Sequence, residues 1–196
     1  MKKVWKIVVI VMAFLCITGC NKNNEDLIAE NVQKIALTGD LVTYEAYYHN
    51  VVEYEQERGT GITHILEKDR KLFIEYTGTI KLGIDMSKVE IKVSGKEINV
   101  YIPKAKIIGE PNIDKDTFKK ENFIQSKDGI NKNKITADDA EGAFKKAQEN
   151  IKNEAMGNDK ILALAQKRAK VILEDNIKEV INLNSSQYEI NWEYGQ

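Results

Sequence analysis

Apolar residues along the chain fall into three rhythms, and each predicts a different kind of element. The first is an unbroken run, Ile7 to Ile17, behind the cluster Lys2, Lys3 and Lys6. A membrane-spanning helix needs about 20 apolar residues, so a run this short after a positive start reads as an export signal rather than a permanent span. The second rhythm is helical: Ile28, Val32, Ile35 and Ala36 share one face and Gly39 supplies a stop, which predicts a short helix. Between signal and helix, Asn21 to Asp26 is a polar spacer whose six residues reach roughly 20 Å when extended.

The third rhythm is alternation. Val42, Tyr44, Ala46, Tyr48, Asn50, Val52 and Tyr54 take the even positions, against Thr43, Glu45, His49 and Glu53, the pattern of a strand with one buried and one wet face. Glu57 to Asp69, with Gly59-Thr60-Gly61, keeps no period and is expected to be an irregular loop. Leu72, Ile74, Tyr76, Ile80, Leu82 and Ile84 then point one way, and Glu75, Thr77, Thr79 and Lys81 the other. Val89, Ile91 and Val93 alternate with Lys88, Glu90 and Lys92, and Ile98, Val100 and Ile102 with Glu97, Asn99 and Tyr101. Ser94-Gly95 between them predicts a hairpin turn, and Pro103 ends the second strand because it has no N–H to donate.

Lys104 to Lys134 is polar and mixed, with one further strand expected at Ala105 to Gly109. Thr136 before Ala137-Asp138-Asp139 reads as a helix cap with acids in the first turn. Phe144, Ala147, Ile151 and Ala155 form one stripe, Gly157-Asn158-Asp159 interrupts it, and Leu162, Ala165, Ala169, Ile172, Val180 and Ile181 form the inward face of a second helix. Tyr188, Ile190, Trp192 and Tyr194 return to period two. Strands, then helices, then a closing strand predict an α+β fold: an antiparallel sheet of about five strands, C-terminal helices packed on one face and a C-terminal strand that closes it.

The tetrapeptide Ile17-Thr18-Gly19-Cys20 resembles the bacterial lipobox, which implies cleavage before Cys20 and a lipid on its thiol. The expected organisation is a signal peptide over 1–19, a lipidated cysteine and short tether over 20–26, and one globular domain over 27–196, held at the extracytoplasmic face of the membrane. Cleavage also removes Cys16, so no disulfide and no free thiolate remain. Basic and acidic residues number 29 and 30, and losing three lysines with residues 1–19 leaves 26 against 30. Such a balance argues against nucleic acid as a partner. The 196 residues less those 19 suffice for one core and are too few to expect two.

Candidate chemistry is sparse. His49 and His64 are the only histidines, with no free cysteine and no His-Glu-x-x-His beside them, so neither has the clustered partners that coordination requires and no metal is expected. Asn112, Asp114 and Asp116 alternate as calcium ligands do, but Thr117 stands where an EF-hand needs glycine and Phe123 where it needs a bidentate glutamate. Glu53, Glu55 and Glu57 share one strand face and would suit acid and base roles in glycoside cleavage only if a cleft enclosed them. No phosphate loop, dinucleotide fingerprint or nucleophile elbow occurs, and no cofactor is implied. Tyr44, Tyr47, Tyr48, Tyr54 and Tyr101 form a mild surplus; of these only Tyr47 and Tyr101 fall on wet faces, where a ring with a polar tip can line a saccharide or peptide groove.

The segments Tyr44-Glu-Ala-Tyr-Tyr-His-Asn-Val51, Tyr76-Thr-Gly-Thr-Ile-Lys-Leu-Gly-Ile-Asp85 and Ile102-Pro-Lys-Ala-Lys-Ile107 precede an alanine-rich helix at Leu162 to Ala169 and an alternating strand. In this order they resemble the bacterial family called domain of unknown function 4230. The resemblance covers nearly all of the chain after the signal and implies one domain, in an exported or membrane-anchored protein, with no activity to carry over. The expectation is therefore a non-enzymatic binding or interaction module, on the membrane through Cys20, whose partner is an envelope protein or the wall polymer. The alternative is a wall-glycan hydrolase working through carboxylates such as Glu53 and Glu55.

Overall fold

A computed structural model describes residues 24–35, 39–65, 68–119, 123–125, 136–181 and 188–195. The expected signal peptide over 1–19, with Cys16, and the expected lipidation site Cys20 lie outside the described residues. The first helix, α1, spans Asn24–Gln33 and buries Val32. Asn24 to Asp26, expected in an extended spacer, therefore form its first turn. Polar residues serve as well at a helix start as in a tether.

Strand β1 (Asp40–Gln56) pairs antiparallel with β2 (Arg70–Asp85), from Asp40 opposite Asp85 to Gln56 opposite Arg70. The expected inward set on β2, from Leu72 to Ile84, is buried throughout, and Lys81 is exposed. On β1 the alternation holds except at its start. A bulge between Val42 and Tyr44 turns Thr43 inward, where its hydroxyl donates to the Ala165 carbonyl at 2.7 Å, and leaves Val42 43 % exposed instead of buried. An extra residue in one strand reverses the faces on one side of it. Gly83 lies opposite, so close to the Leu41 backbone that a Cβ would collide with its carbonyl.

The other edge of β2 carries β5 (Lys106–Ile113) along Gly78 to Gly83 and β6 (Phe123–Gln125) along Leu72 to Ile74. The segment after Pro103 thus contributes more than the single short strand expected. It also supplies Phe118, whose ring meets Tyr76, Phe123 and Phe144 edge to face at centroid distances of 6.5, 5.9 and 5.3 Å.

A second sheet holds β3 (Glu90–Ser94), β4 (Glu97–Ile102) and β7 (Glu189–Tyr194), in the order β3, β4, β7. Gly95 opens the two-residue loop between β3 and β4 with φ +58°, as the first position of a type II′ turn requires. Strand β7 runs parallel to β4. The strands are therefore divided over two sheets, and the closing strand joins the smaller one. A parallel neighbour demands a crossover connection, which the two C-terminal helices supply.

Those helices are α2 (Ala137–Met156) and α3 (Asp159–Ile181). Thr136 and Asp139 form a capping box: the Thr136 N–H donates to Asp139 Oδ2 at 2.8 Å and the Asp139 N–H donates to Thr136 Oγ1 at 3.2 Å. Helix α2 packs on β1, β2 and β5, and α3 on β1, β2 and β4, while α1 lies against α3 and β3. The buried face of α2 is Ala143, Ala147, Ile151 and Ala155, with Phe144 half-buried at its side. On α3 the buried face is Leu162, Ala165, Ala169, Leu173, Ile177 and Ile181. Ile172 and Val180, expected inward, are half-buried at the margin, because the stripe on a 3.6-residue helix drifts toward Leu173 and Ile177. The result is an α+β fold, with C-terminal helices against antiparallel sheet and a closing strand.

Candidate functional site

The outer face of β3–β4–β7 is built by alternation. Ile91, Ile98, Val100 and Ile102 face the core, so Glu90, Lys92, Asn99 and Tyr101 face outward, and β7 adds Asn191 and Glu193. These six side chains line a cleft of about 470 Å³. Register puts them in two rows across the strands: Glu90, Tyr101 and Glu193 in one, Lys92, Asn99 and Asn191 in the other. Lys92 Nζ donates to Glu90 Oε2 at 2.9 Å, and the Asn191 amide donates to Asn99 Oδ1 at 3.1 Å. The Glu90 carboxylate holds the Lys92 ammonium above its usual pKa, and Glu193 adds to that effect. The cleft carries two carboxylates against one ammonium, an amide pair with unused hydrogen-bonding capacity, and one aromatic ring.

Tyr101 thus stands half-buried in a cleft, as its wet-face position allowed. Tyr47 is 68 % exposed on the outer face of the larger sheet, opposite Thr79, so the two tyrosines sit on different sheets. Asn99 and Asn191 are the pair that sequence reasoning missed as a unit. Both were legible as outward-facing, but nothing in a period-two pattern says that β7 lies parallel to β4 with these two residues side by side.

Glu53 and Glu55 are exposed on β1, and Lys71 Nζ lies 3.8 Å from the first and 3.3 Å from the second. Neither lines the cleft on the smaller sheet. Glu57 belongs to a different depression of about 530 Å³ in the loop beyond β1, with Arg58, Thr60, His64 and Asp69. There the Arg58 N–H donates to Asp69 Oδ1 at 2.8 Å, and the His64 ring lies against Gly59. His49 Nε2 lies 2.6 Å from Glu75 Oε1 on the exposed sheet face. Asp114 sits in a tight turn in which its Oδ1 accepts from the Asp116 N–H at 2.9 Å and its backbone oxygen from the Thr117 hydroxyl at 2.8 Å. Among the described residues no group of three His, Cys, Asp or Glu is placed to hold a metal, and no helix is long and apolar enough to cross a membrane. Cys20, the expected lipidation site, lies outside those residues.

The motif residues that looked most distinctive do architectural work. Gly83 admits the close approach of β1 and Ile84 is buried. Asp85 accepts from the Ser87 N–H and hydroxyl and lies 3.3 Å from Lys106 Nζ, which also reaches Asp40 at 2.8 Å. One lysine thereby joins the ends of β1 and β2 to β5. After Ile102-Pro103, the Gln166 amide donates to the carbonyls of Ile102, Pro103 and Gly195, which fixes the ends of β4 and β7.

A family model described as a protein of unknown function, DUF4230, matches residues 33–190. Neither the curated proteins nor the solved structures contain a match to the chain.

Proposed function

The chain belongs to the DUF4230 family of proteins of unknown function, and from that premise we propose that it is a lipid-anchored binding module of the cell envelope that holds a partner without transforming it. The observation that carries this reading is the cleft on β3–β4–β7, where an aromatic ring, two amides and a mixed set of charges line one concave surface. Sites of that composition recognise polar ligands through directed hydrogen bonds and ring contact. Helix α1 packs against α3 and β3. A lipid on Cys20 would keep the cleft near the membrane and select partners found there, an envelope protein or the wall polymer.

The hydrolase alternative needs two carboxylates in an enclosed site with one pKa raised. Glu53 and Glu55 instead share Lys71 on an open strand face, which favours binding over turnover. Incubating the detergent-solubilised full chain with purified wall sacculi and with membrane fractions tests the proposal. Retention on one of them with no release of reducing ends is the expected result. Release of reducing ends that is abolished by Glu53→Gln or Glu55→Gln in a still-folded protein would replace it with the hydrolase.

A further inference from the structure

We propose that the cleft on β3–β4–β7 binds an acetamido sugar, the N-acetylhexosamine unit of a glycan, with its amide held between the two rows of side chains; this deepens the binding-module reading and rests on it. The two rows differ in hydrogen-bonding character. In the row Lys92, Asn99, Asn191, the Asn99 carbonyl is occupied by Asn191, so Asn99 has amide N–H groups left to donate. In the row Glu90, Tyr101, Glu193, the carboxylates can only accept. Lys92 is engaged with Glu90, which leaves Glu193 the less neutralised of the two acids.

Asn99 and Glu193 stand on neighbouring strands one row apart, on a diagonal of roughly 7 to 8 Å, with the Asn99 N–H groups as donors and the Glu193 carboxylate as acceptor. A secondary amide presents its C=O and N–H on opposite sides, which matches such a gap: C=O toward Asn99, N–H toward Glu193. Sugar hydroxyls can donate to the same carboxylates, and the Tyr101 ring between Glu90 and Glu193 offers a surface for the apolar face of a pyranose. Charge selects further. Two carboxylates against one ammonium disfavour a phosphate-bearing polymer. A peptide also carries amides, but peptides gain affinity on sheets by extending an edge ladder, whereas this cleft lies on the face.

Occupancy is read by isothermal titration calorimetry. The processed lipoprotein in detergent is titrated with the β-1,4-linked tetramer of N-acetylglucosamine, with the glucose tetramer of the same linkage, and with a wall stem peptide. The expected result is saturable binding of the acetylated tetramer at least tenfold tighter than either other probe. Asn99→Ala and Glu193→Ala should each weaken it about tenfold, the loss of one ligand hydrogen bond to an amide or a charged group. Tyr47→Ala, on the other sheet, should leave it unchanged. Equal affinity for the two tetramers, preference for the peptide, or no effect of Asn99→Ala overturns the acetamido assignment. Retention on sacculi or membranes is measured in parallel, and its persistence after such a result shows that the ligand class was wrong and the binding module was not.

Discussion

Asp85 illustrates how much of the fold depends on single polar side chains. Its carboxylate accepts from the Ser87 N–H at 3.1 Å, and the Ser87 hydroxyl foremost holds its pKa below the ordinary aspartate value, with Lys106 adding to the effect. A folded-state pKa lowered in this way contributes stability that is present above the unfolded value of about 3.9 and lost as pH falls through the folded one. The urea midpoints of wild type and Asp85→Asn should therefore differ most near neutrality and converge in acid. A gap that stays constant down to pH 2 would deny the carboxylate that role. Tyr76 works in the opposite setting. Its side chain is fully buried, burial raises the phenol pKa, and its hydroxyl donates to the Ala147 carbonyl at 3.2 Å. Tyr76→Phe keeps the ring among Phe118 and its neighbours, so the expected loss is that of one hydrogen bond, about 0.5 to 1.5 kcal/mol by denaturant titration.

Elements were legible wherever one face was buried along a straight stretch. Ile80, Leu82 and Ile84 are all at 1 % exposure or below, with Lys81 outward, because a slip of one residue would invert every one of them. Leu82→Ala should cost about 2 to 5 kcal/mol, the range for emptying a core leucine site, and Lys81→Ala should stay within about 0.5 kcal/mol. Equal losses at the two positions would put the sheet face in doubt. The cap before α2 was legible for a similar reason, since Thr136 satisfies an N–H that the helix cannot. Asp139, 4 % exposed, is the charged residue that the core accepts there, and Thr136→Ala should cost about 0.5 to 2 kcal/mol, read as a lowered thermal midpoint. The bulge at Val42 and the shifted face of α3 were not legible. Both depend on which partner lies opposite, and neither partner is a sequence neighbour.

At the scale of the molecule, the β1–β2 hairpin sets the dimensions. Strands of 17 and 16 residues extend for roughly 50 Å. Their shared end is joined to the turn after α1, where the Met86 N–H donates to the Gly39 carbonyl at 2.9 Å. The hairpin loop, with Ile62 89 % exposed, therefore lies at the end of the sheet away from α1. Two acyl chains hold a protein far more firmly than one, so Cys20→Ala should move the chain from the membrane pellet to the supernatant or leave residues 1–19 attached. A mutant that remains lipidated, or a mature wild type that keeps residues 1–19, would remove the anchor from this picture.

By itself the sequence determined what alternation, helical spacing and caps encode: which residues of β2, β3, β4 and of β1 beyond its bulge face inward, where α2 begins, and that the fold is α+β. These follow from each residue's own chemistry and its near neighbours. Only the tertiary structure decided that the strands divide into two sheets, that β7 runs parallel to β4, and that Asn99 meets Asn191 beside Tyr101. Those are pairings between segments about 90 residues apart, chosen by how α3 crosses the core and returns the chain. A period of two records which side of a strand is wet, but not which strand stands beside it, and the candidate site is made of that second kind of information.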